Sequence, residues 1–347
     1  MSAAACITTV PLLSGPARAF LAADPRTSLF TSPPWVTALE ATYGLRFEAS
    51  VAVERGVITA LVPYVEVADV RGERIVSLPF CDYTDPLVDD AATYQALVAP
   101  IIAKGRPLST RCLRSTLPRS IGALRPTGVA RWHGVDLEAA DEERWAALGG
   151  SARRNVRAAE RAGLAVRESS AIADLEAFHA MHRHVRRTKY GLLAQPLPLF
   201  ANLRDAFGEE GCTVLLAEAD GEAVAGIVFL RWRDTWYYKF NASVDVRHRP
   251  NDLLAWEGTV RGRQRGLRLL DFGLSDTDQQ GLVRYKAKYA SAEADIVGLS
   301  HRPEGWSDPR GDETGRLLGE LTDLLTDPSV PDDITSRAGE LLYRYFC

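Results

Sequence analysis

Apolar residues along the chain recur at two spacings, helical and alternating, and the switches between them mark out its elements. SPPWVTALEATYG (32–44) carries a helical pattern. Ser32 stands where an N-cap belongs, prolines fill the first turn, and Gly44 supplies the stop. Three β-type runs follow, FEASVAVE, VITALVPYVEV and ERIVSLPF, separated by RG and RGE turn residues. Pro63 inside the second run predicts an edge or a bulge, because proline cannot donate to a ladder. AATYQALVAPIIAKG (91–105) predicts a second helix, bent at Pro100.

The second half opens with SARRNVRAAERAGLAVRE, a helix that Gly163 stops before a strand. ADLEAFHAMHRHVRRTKYG (173–191) and PLPLFANLRDAFG predict two further helices. Three strands, CTVLLAEA, EAVAGIVFLRWR and TWYYKFNAS, lead to a helix, DLLAWEGTVRGRQRG, and a short strand, LRLLDFG. VERGVITALVPY (53–64) lies over AEADGEAVAGIVFL (217–230) at an offset of about 165 residues, glycine on glycine between two strands. That overlap predicts tandem duplication of one α/β unit; two copies are fewer than a solenoid needs. The expected domains are 1–150 and 151–310, with helices from TGRLLGELTDLL and ITSRAGELLYRYF (within 311–347) returning to the first.

Composition narrows the class. With 347 residues and 46% hydrophobic content, the chain can build two cores. No apolar run approaches the roughly 20 residues that span a bilayer, so no membrane insertion is expected. Five scattered cysteines without a C-x-x-C pair suit a reducing compartment better than a disulfide framework or a zinc site. The N-terminal stretch has no basic residue before Arg18, which makes a poor secretory signal. The expected location is cytoplasmic. Net charge is −4, yet residues 151–300 hold 22 Lys+Arg against 19 Asp+Glu. This weakly electropositive middle is where an anionic substrate would go.

The stretch DFGLSDTDQQGLVRYKAKYA (271–290) concentrates the candidate chemistry. Its DFG is not a kinase magnesium motif, since no glycine-rich loop, V-A-I-K strand or HRD loop accompanies it. Only five of the 41 basic residues are lysines, so Lys286 beside Tyr285 stands out.

In order and spacing, RRNVRAAERAGL (153–164), WYYKFNAS (236–243), RHRPNDLLAWEG (247–258), RLLDFG (268–273) and GLVRYKAKYA (281–290) resemble the Fem-like family. These are tandem-GNAT, aminoacyl-tRNA-dependent transferases, related to BioF-type acyltransferases. The resemblance covers about 150 residues of the second half; LVPYVEV and LPFCDYTDP carry it more weakly in the first. It implies an α/β (α+β) fold of two GNAT-like domains, each a mixed, mostly antiparallel sheet flanked by helices. One departure matters. Where an acetyl-CoA GNAT places a glycine-rich pyrophosphate loop at a helix opening, this chain reads RPNDLL. Asn251 or Asp252 there looks like a helix cap, and an acid at that position opposes a pyrophosphate.

By the resemblance, Tyr285 and Lys286 line the acyl-transfer site, with the ammonium stabilising a tetrahedral oxyanion. The plainer alternative is a solvent-facing helix lysine. Of Tyr237 and Tyr238, which alternate faces in a strand, one is expected in the core and the other at the substrate. Asn241 joins them as a substrate-binding candidate; its N-x-S pattern means nothing in a cytoplasmic chain. Asp271 closes a strand and Ser275 lies just beyond it, the usual place for a site in an open α/β sheet; the alternative is a cap for the next helix. Asp82 and Asp85 are acceptor-binding candidates from the first half, or turn residues. Arg153, Arg157 and Arg161 share a helix face, and Arg186 and Arg187 follow; all five are candidates for tRNA phosphates, against the plain alternative of a solvated face. His179, His182 and His184 lack the carboxylate or cysteine that would complete a metal set, so no metal or cofactor is expected. The resulting expectation is amide formation from aminoacyl-tRNA and a primary amine, a peptidoglycan precursor or a small molecule of specialised metabolism. Alternatives are an acyl-CoA-dependent N-acyltransferase and a non-catalytic binding protein.

Overall fold

A computed structural model describes residues 5–245 and 247–347. In chain order the first elements are β1 (Cys6–Pro11), α1 (Gly15–Ala23), α2 (Pro33–Tyr43), β2 (Phe47–Glu54), β3 (Val57–Asp69) and β4 (Gly72–Val76). Next come α3 (Ala91–Ile102), β5 (Leu108–Cys112), β6 (Arg125–Asp136), α4 (Asp141–Ala147), α5 (Gly150–Arg161) and β7 (Ala165–Ser169). They are followed by α6 (Ile172–Tyr190), α7 (Leu197–Phe207), β8 (Cys212–Ala219), β9 (Glu222–Trp232), β10 (Thr235–Ser243) and α8 (Pro250–Gln264). The chain closes with β11 (Leu269–Asp276), α9 (Gln280–Ala287), β12 (Ala292–His301), α10 (Pro309–Thr326) and α11 (Asp332–Leu342). The class is mixed α/β, as expected.

The chain divides into two units. Unit 1 takes residues up to Ala130, Asp295–Gly319 and Tyr345–Cys347; unit 2 takes Arg131–Ala294 and Glu320–Arg344. Residues 320–344 therefore group with the second unit, not with the first as the sequence suggested. Arg187 of α6 is one tie: its guanidinium donates to the carbonyls of Thr326, Asp327 and Val330 and pairs with Asp332. It caps the end of α10 and anchors the start of α11.

In unit 1 the strand order is β1-β2-β3-β4-β5-β12, with β4 and β5 parallel. Ser32 caps α2 by accepting from the Trp35 N–H, and Gly44 ends it in the left-handed region. Pro63 sits between the Leu61–Leu87 bridge and the first β3–β4 pair, Val65 with Val76, where its missing N–H costs no ladder bond. Helix α3 packs Tyr94, Leu97, Val98 and Ile101 on this sheet.

In unit 2 the order is β6-β11-β10-β9-β8-β7; β10 and β11 run parallel, while β7–β8, β8–β9 and β9–β10 are antiparallel. Its core gathers Leu215, Ile227, Phe229, Trp236, Leu270 and Phe272 of the sheet under Leu254 and Ala255 of α8.

The duplication is visible in backbone detail. Arg55 and Gly56 turn the β2–β3 hairpin with φ of 51° and 81°; Asp220 and Gly221 turn β8–β9 with 51° and 83°. Both are two-residue turns with positive φ at each central position. Each hairpin also carries a bulge, at Ala52/Val53 and at Ala217/Glu218, again about 165 residues apart.

Candidate active site

Strands β10 and β11 pair only over Thr235–Tyr237 and Leu269–Asp271 and then part. Both run on, to Ser243 and Asp276, so a wedge opens between them at their C-terminal ends. Two irregularities shape it. On β10, Lys239 is the extra residue of a bulge against β9. On β11, Gly273 has φ of 68°, which only glycine adopts at low cost, and its N–H donates to the Asp271 carboxylate at 2.6 Å.

This local fold directs two consecutive β11 carbonyls at Lys286. The ammonium donates to Leu274 O at 2.7 Å and to Gly273 O at 3.4 Å, and the side chain is 5% exposed. Lys286 is thus not the solvent-facing lysine of the plain alternative. It is a buried cation seated on the strand edge that the wedge leaves unpaired.

Aromatic residues surround it. The Tyr285 hydroxyl donates to Asn251 O at 2.9 Å and meets that of Tyr238. Tyr238 packs edge-on to Phe229 and against Phe272, and Tyr289 stands 5.6 Å from Tyr285. Burial pushes the hydroxyls of Tyr238, Tyr285 and Tyr289 well above the ordinary tyrosine range, so all three stay protonated. Tyr237 is buried on the opposite face of the strand, as alternation requires.

Helix α8 opens beside this cluster. Its N-cap is Arg249, in the left-handed region, so neither Asn251 nor Asp252 caps it; they are the second and third helical residues. The Asn251 side-chain oxygen accepts from Asn241 Nδ2 at 2.9 Å. The buried Asp252 carboxylate accepts from the Tyr289 hydroxyl at 2.7 Å, and Lys288 lies 3.9 Å away. Pro250 has no N–H, and the N–H groups of Asp252 and Leu253 go to Arg249 O.

Asp271 and Ser275 do not cap α9, whose N-cap is Gln279. Asp271 braces Gly273, and Ser275 is buried with no partner for its hydroxyl. His133 was not anticipated from sequence. On β6 it shares a face with Val135, is fully buried, and has no hydrogen bond at either ring nitrogen. Burial lowers its pKa, Glu293 at 3.9 Å opposes this, and the Lys286 charge adds to it, so the ring stays neutral near pH 7. The WHG stretch around it gave no periodic signal that would mark a strand.

Residues 150–287 match the family described as an acetyltransferase (GNAT) domain. The crystal structure of FemX aligns over 84% of this chain and 96% of its own, with TM-score 0.60 and 14% identity. A tandem GNAT protein from the clavulanic acid biosynthesis pathway aligns over 87% and 100%, at 0.55 and 13%. L-PGS from Bacillus licheniformis aligns over 75% and 86%, at 0.51 and 15%. The chain has the Fem-like tandem GNAT fold. No curated protein matches it in sequence.

Within this GNAT architecture the remaining candidates separate. Lys286, Tyr285, Tyr238, Asn241, Asp271 and Ser275 all belong to the wedge of unit 2 or its borders, whereas Asp82 lies in unit 1. Asp85 is a loop clamp, accepting from the N–H groups of Leu113, Arg114 and Ser115. Arg186 donates twice to Leu193 O, which commits part of its guanidinium. All three guanidinium nitrogens of Arg187 are engaged on the α10–α11 connection. Arg153 is half-committed, to the carbonyls of Trp145 and Ala146. Arg157, stacked 5.5 Å from the Trp145 ring, and Arg161 are exposed on α5. His179 and His182 both bind Gln195, and among the described residues no cluster could hold a metal ion.

Proposed function

We propose that the protein is an acyltransferase that moves an aminoacyl group from aminoacyl-tRNA to a primary amine, forming an amide without a covalent enzyme intermediate. The observation that carries the reaction type is Lys286, a buried ammonium fixed by carbonyls at the mouth of the β10–β11 wedge. The amine nitrogen attacks the ester carbonyl carbon, and the C=O π electrons move to oxygen. The Lys286 charge stabilises that oxyanion, which it meets without reorganising because its position is already held. Collapse breaks the bond to the ribose oxygen, and the proton lost by the amine ends on that oxygen as the leaving hydroxyl. Tyr285 and Tyr238 wall the acyl group, and Asn241 braces the loop end of α8 through Asn251.

The state of the α8 N-terminus supports tRNA as the donor. An acyl-CoA pyrophosphate needs free N–H groups and positive potential at this helix end. Here proline occupies the first position, two N–H groups are used internally, and a buried carboxylate sits at the third residue. The exposed Arg157 and Arg161 supply phosphate contacts on the same unit. The acceptor is a primary amine, a soluble small molecule or a peptide, and Asp82 is the candidate contact from unit 1. A second reading, an acyl-CoA-dependent N-acyltransferase, is favoured by the acetyltransferase description of the matched domain. A reconstituted assay separates them: RNase should abolish transfer to an amine panel, whereas full turnover with acyl-CoA and no RNA would establish the second.

A further inference from the structure

In unit 1 the pairing of β4 with β5 repeats that of β10 with β11. The two strands run parallel and hold register only briefly, Ile75 with Leu108 and Val76 with Ser109. The chain leaving β4 then detours. Ser77 N–H donates to Ser109 O at 2.8 Å and Thr84 N–H to Arg111 O at 2.7 Å, so residues 78–83 span a step that β5 makes with Thr110 alone. The surplus chain turns at Phe80, with φ of 59°, and a cavity of about 430 Å³ remains, lined by unit 1 residues only. That volume lies in the usual range of small-molecule sites.

The charges lining the cavity are cationic, Arg71, Arg74 and Arg111, with no aspartate or glutamate among the lining residues. Two of the three are already engaged. Arg74 pairs with Asp69 and donates to Cys347 O, and Arg71 donates to Tyr345 O at 2.9 Å. Arg111 is exposed at the cavity edge, and its guanidinium has no partner among the described residues. Ser77 and Thr84 are 9% and 3% exposed, yet neither hydroxyl has a hydrogen-bond partner among the described residues, and neither oxygen is sealed from solvent. Polar groups this deep normally find partners. Two hydroxyls open to one cavity, on backbone tied to β5, are preorganised for a ligand. Leu78, Phe80 and Tyr83 supply an apolar wall.

We propose that this cavity binds a small-molecule carboxylate with an apolar body. The carboxylate would accept from Arg111, in the two-bond geometry that a guanidinium offers, and from the hydroxyls of Ser77 and Thr84. The body would lie against Leu78, Phe80 and Tyr83. One unpaired guanidinium matches one negative charge, which favours a carboxylate over a phosphate dianion. The site stands independently of the acyl-transfer reading, since it uses none of the wedge residues of unit 2.

3-Phenylpropionate carries both features and serves as the probe in a ligand-observed NMR titration of the full chain. Saturable binding is expected with Kd of about 1 mM or tighter. 3-Phenylpropanamide, the same body without the charge, should bind at least several-fold more weakly. Arg111→Gln should weaken the probe about tenfold, the loss of one charge-assisted hydrogen bond. Ser77→Ala with Thr84→Val should weaken it about three- to tenfold, on the scale of two neutral hydrogen bonds. Ser109→Trp, at an exposed position lining the cavity, should block it. Thermal melts confirm that each variant is folded. No saturation at about 10 mM probe overturns the proposal, as does equal affinity for the amide. Binding that is lost in Lys286→Met but kept in Arg111→Gln would place the probe in the other unit and also overturn it. Saturable binding of phenyl phosphate without binding of 3-phenylpropionate would overturn the carboxylate assignment.

Discussion

Lys286→Met tests the proposed mechanism most directly, because it keeps most of the aliphatic stem and deletes the charge. Two effects are expected, and the structure sizes each. The ammonium donates charge-assisted hydrogen bonds to Leu274 O and Gly273 O. Such bonds contribute about 1.5–3 kcal/mol each, but methionine also removes the cost of burying a cation. The net loss of stability is therefore expected at about 1–2 kcal/mol, a fall in Tm of a few degrees. The catalytic loss is larger. Removing one preformed oxyanion donor costs roughly 100-fold in kcat, about 2.7 kcal/mol, and acceptor KM should change little because the interaction strengthens only in the transition state. The assay is transfer of labelled amino acid from aminoacyl-tRNA to an amine, with thermal melts beside it. Lys286→Arg should also be slow, since the planar guanidinium is too large for a site 5% exposed. Lys288→Met should stay close to wild type. A folded Lys286→Met protein with near wild-type kcat would refute the assignment.

Two further outcomes follow from named groups. Replacing Arg157 and Arg161 with alanine should lower the slope of log binding constant against log salt for aminoacyl-tRNA by about 1.4–1.8, the share of two phosphates; an unchanged slope would return α5 to solvated surface. His182, deep among Phe178, Phe200 and Phe240, has its pKa lowered by burial from 6.5 to about 4. It stays neutral in the fold while the unfolded chain takes up a proton below pH 6.5. Its contribution is therefore complete above pH 6.5 and is lost as pH falls towards 4, by about 3 kcal/mol. His182→Gln should flatten chemical-denaturation stability over that window relative to wild type, and an identical pH slope would show that His182 does not report on the fold.

Much of the fold was legible because local chemistry and tertiary packing agree. Ser32, Gly44 and Gly163 act at helix ends as their residue types suggest, and the paired RG and DG turns exposed the duplication. The candidate site was legible only as a neighbourhood. Nothing local to GLVRYKA says that its lysine is buried; that follows from Gly273, whose positive φ turns the strand's carbonyls towards it. Arg187 looks like half of a basic surface pair with Arg186, yet its partners lie some 140 residues on, at 326–332, a long-range contact that no spacing rule encodes. His133 was silent for a related reason. An isolated histidine acquires meaning only when the fold brings Glu293 and the Lys286 charge near it.

The twin hairpin turns also bear on how the chain unfolds. Arg55 and Asp220 hold the same left-handed backbone, but aspartate tolerates that region far better than arginine. The strain is unequal, one side chain per unit, and both positions are exposed. Asparagine at both turns would relieve unit 1 by several tenths of a kcal/mol and leave unit 2 nearly as it was. Were the two units to melt as separate transitions, only one would move. A single transition shifted as a whole would mean that the duplicated halves fold as one cooperative body.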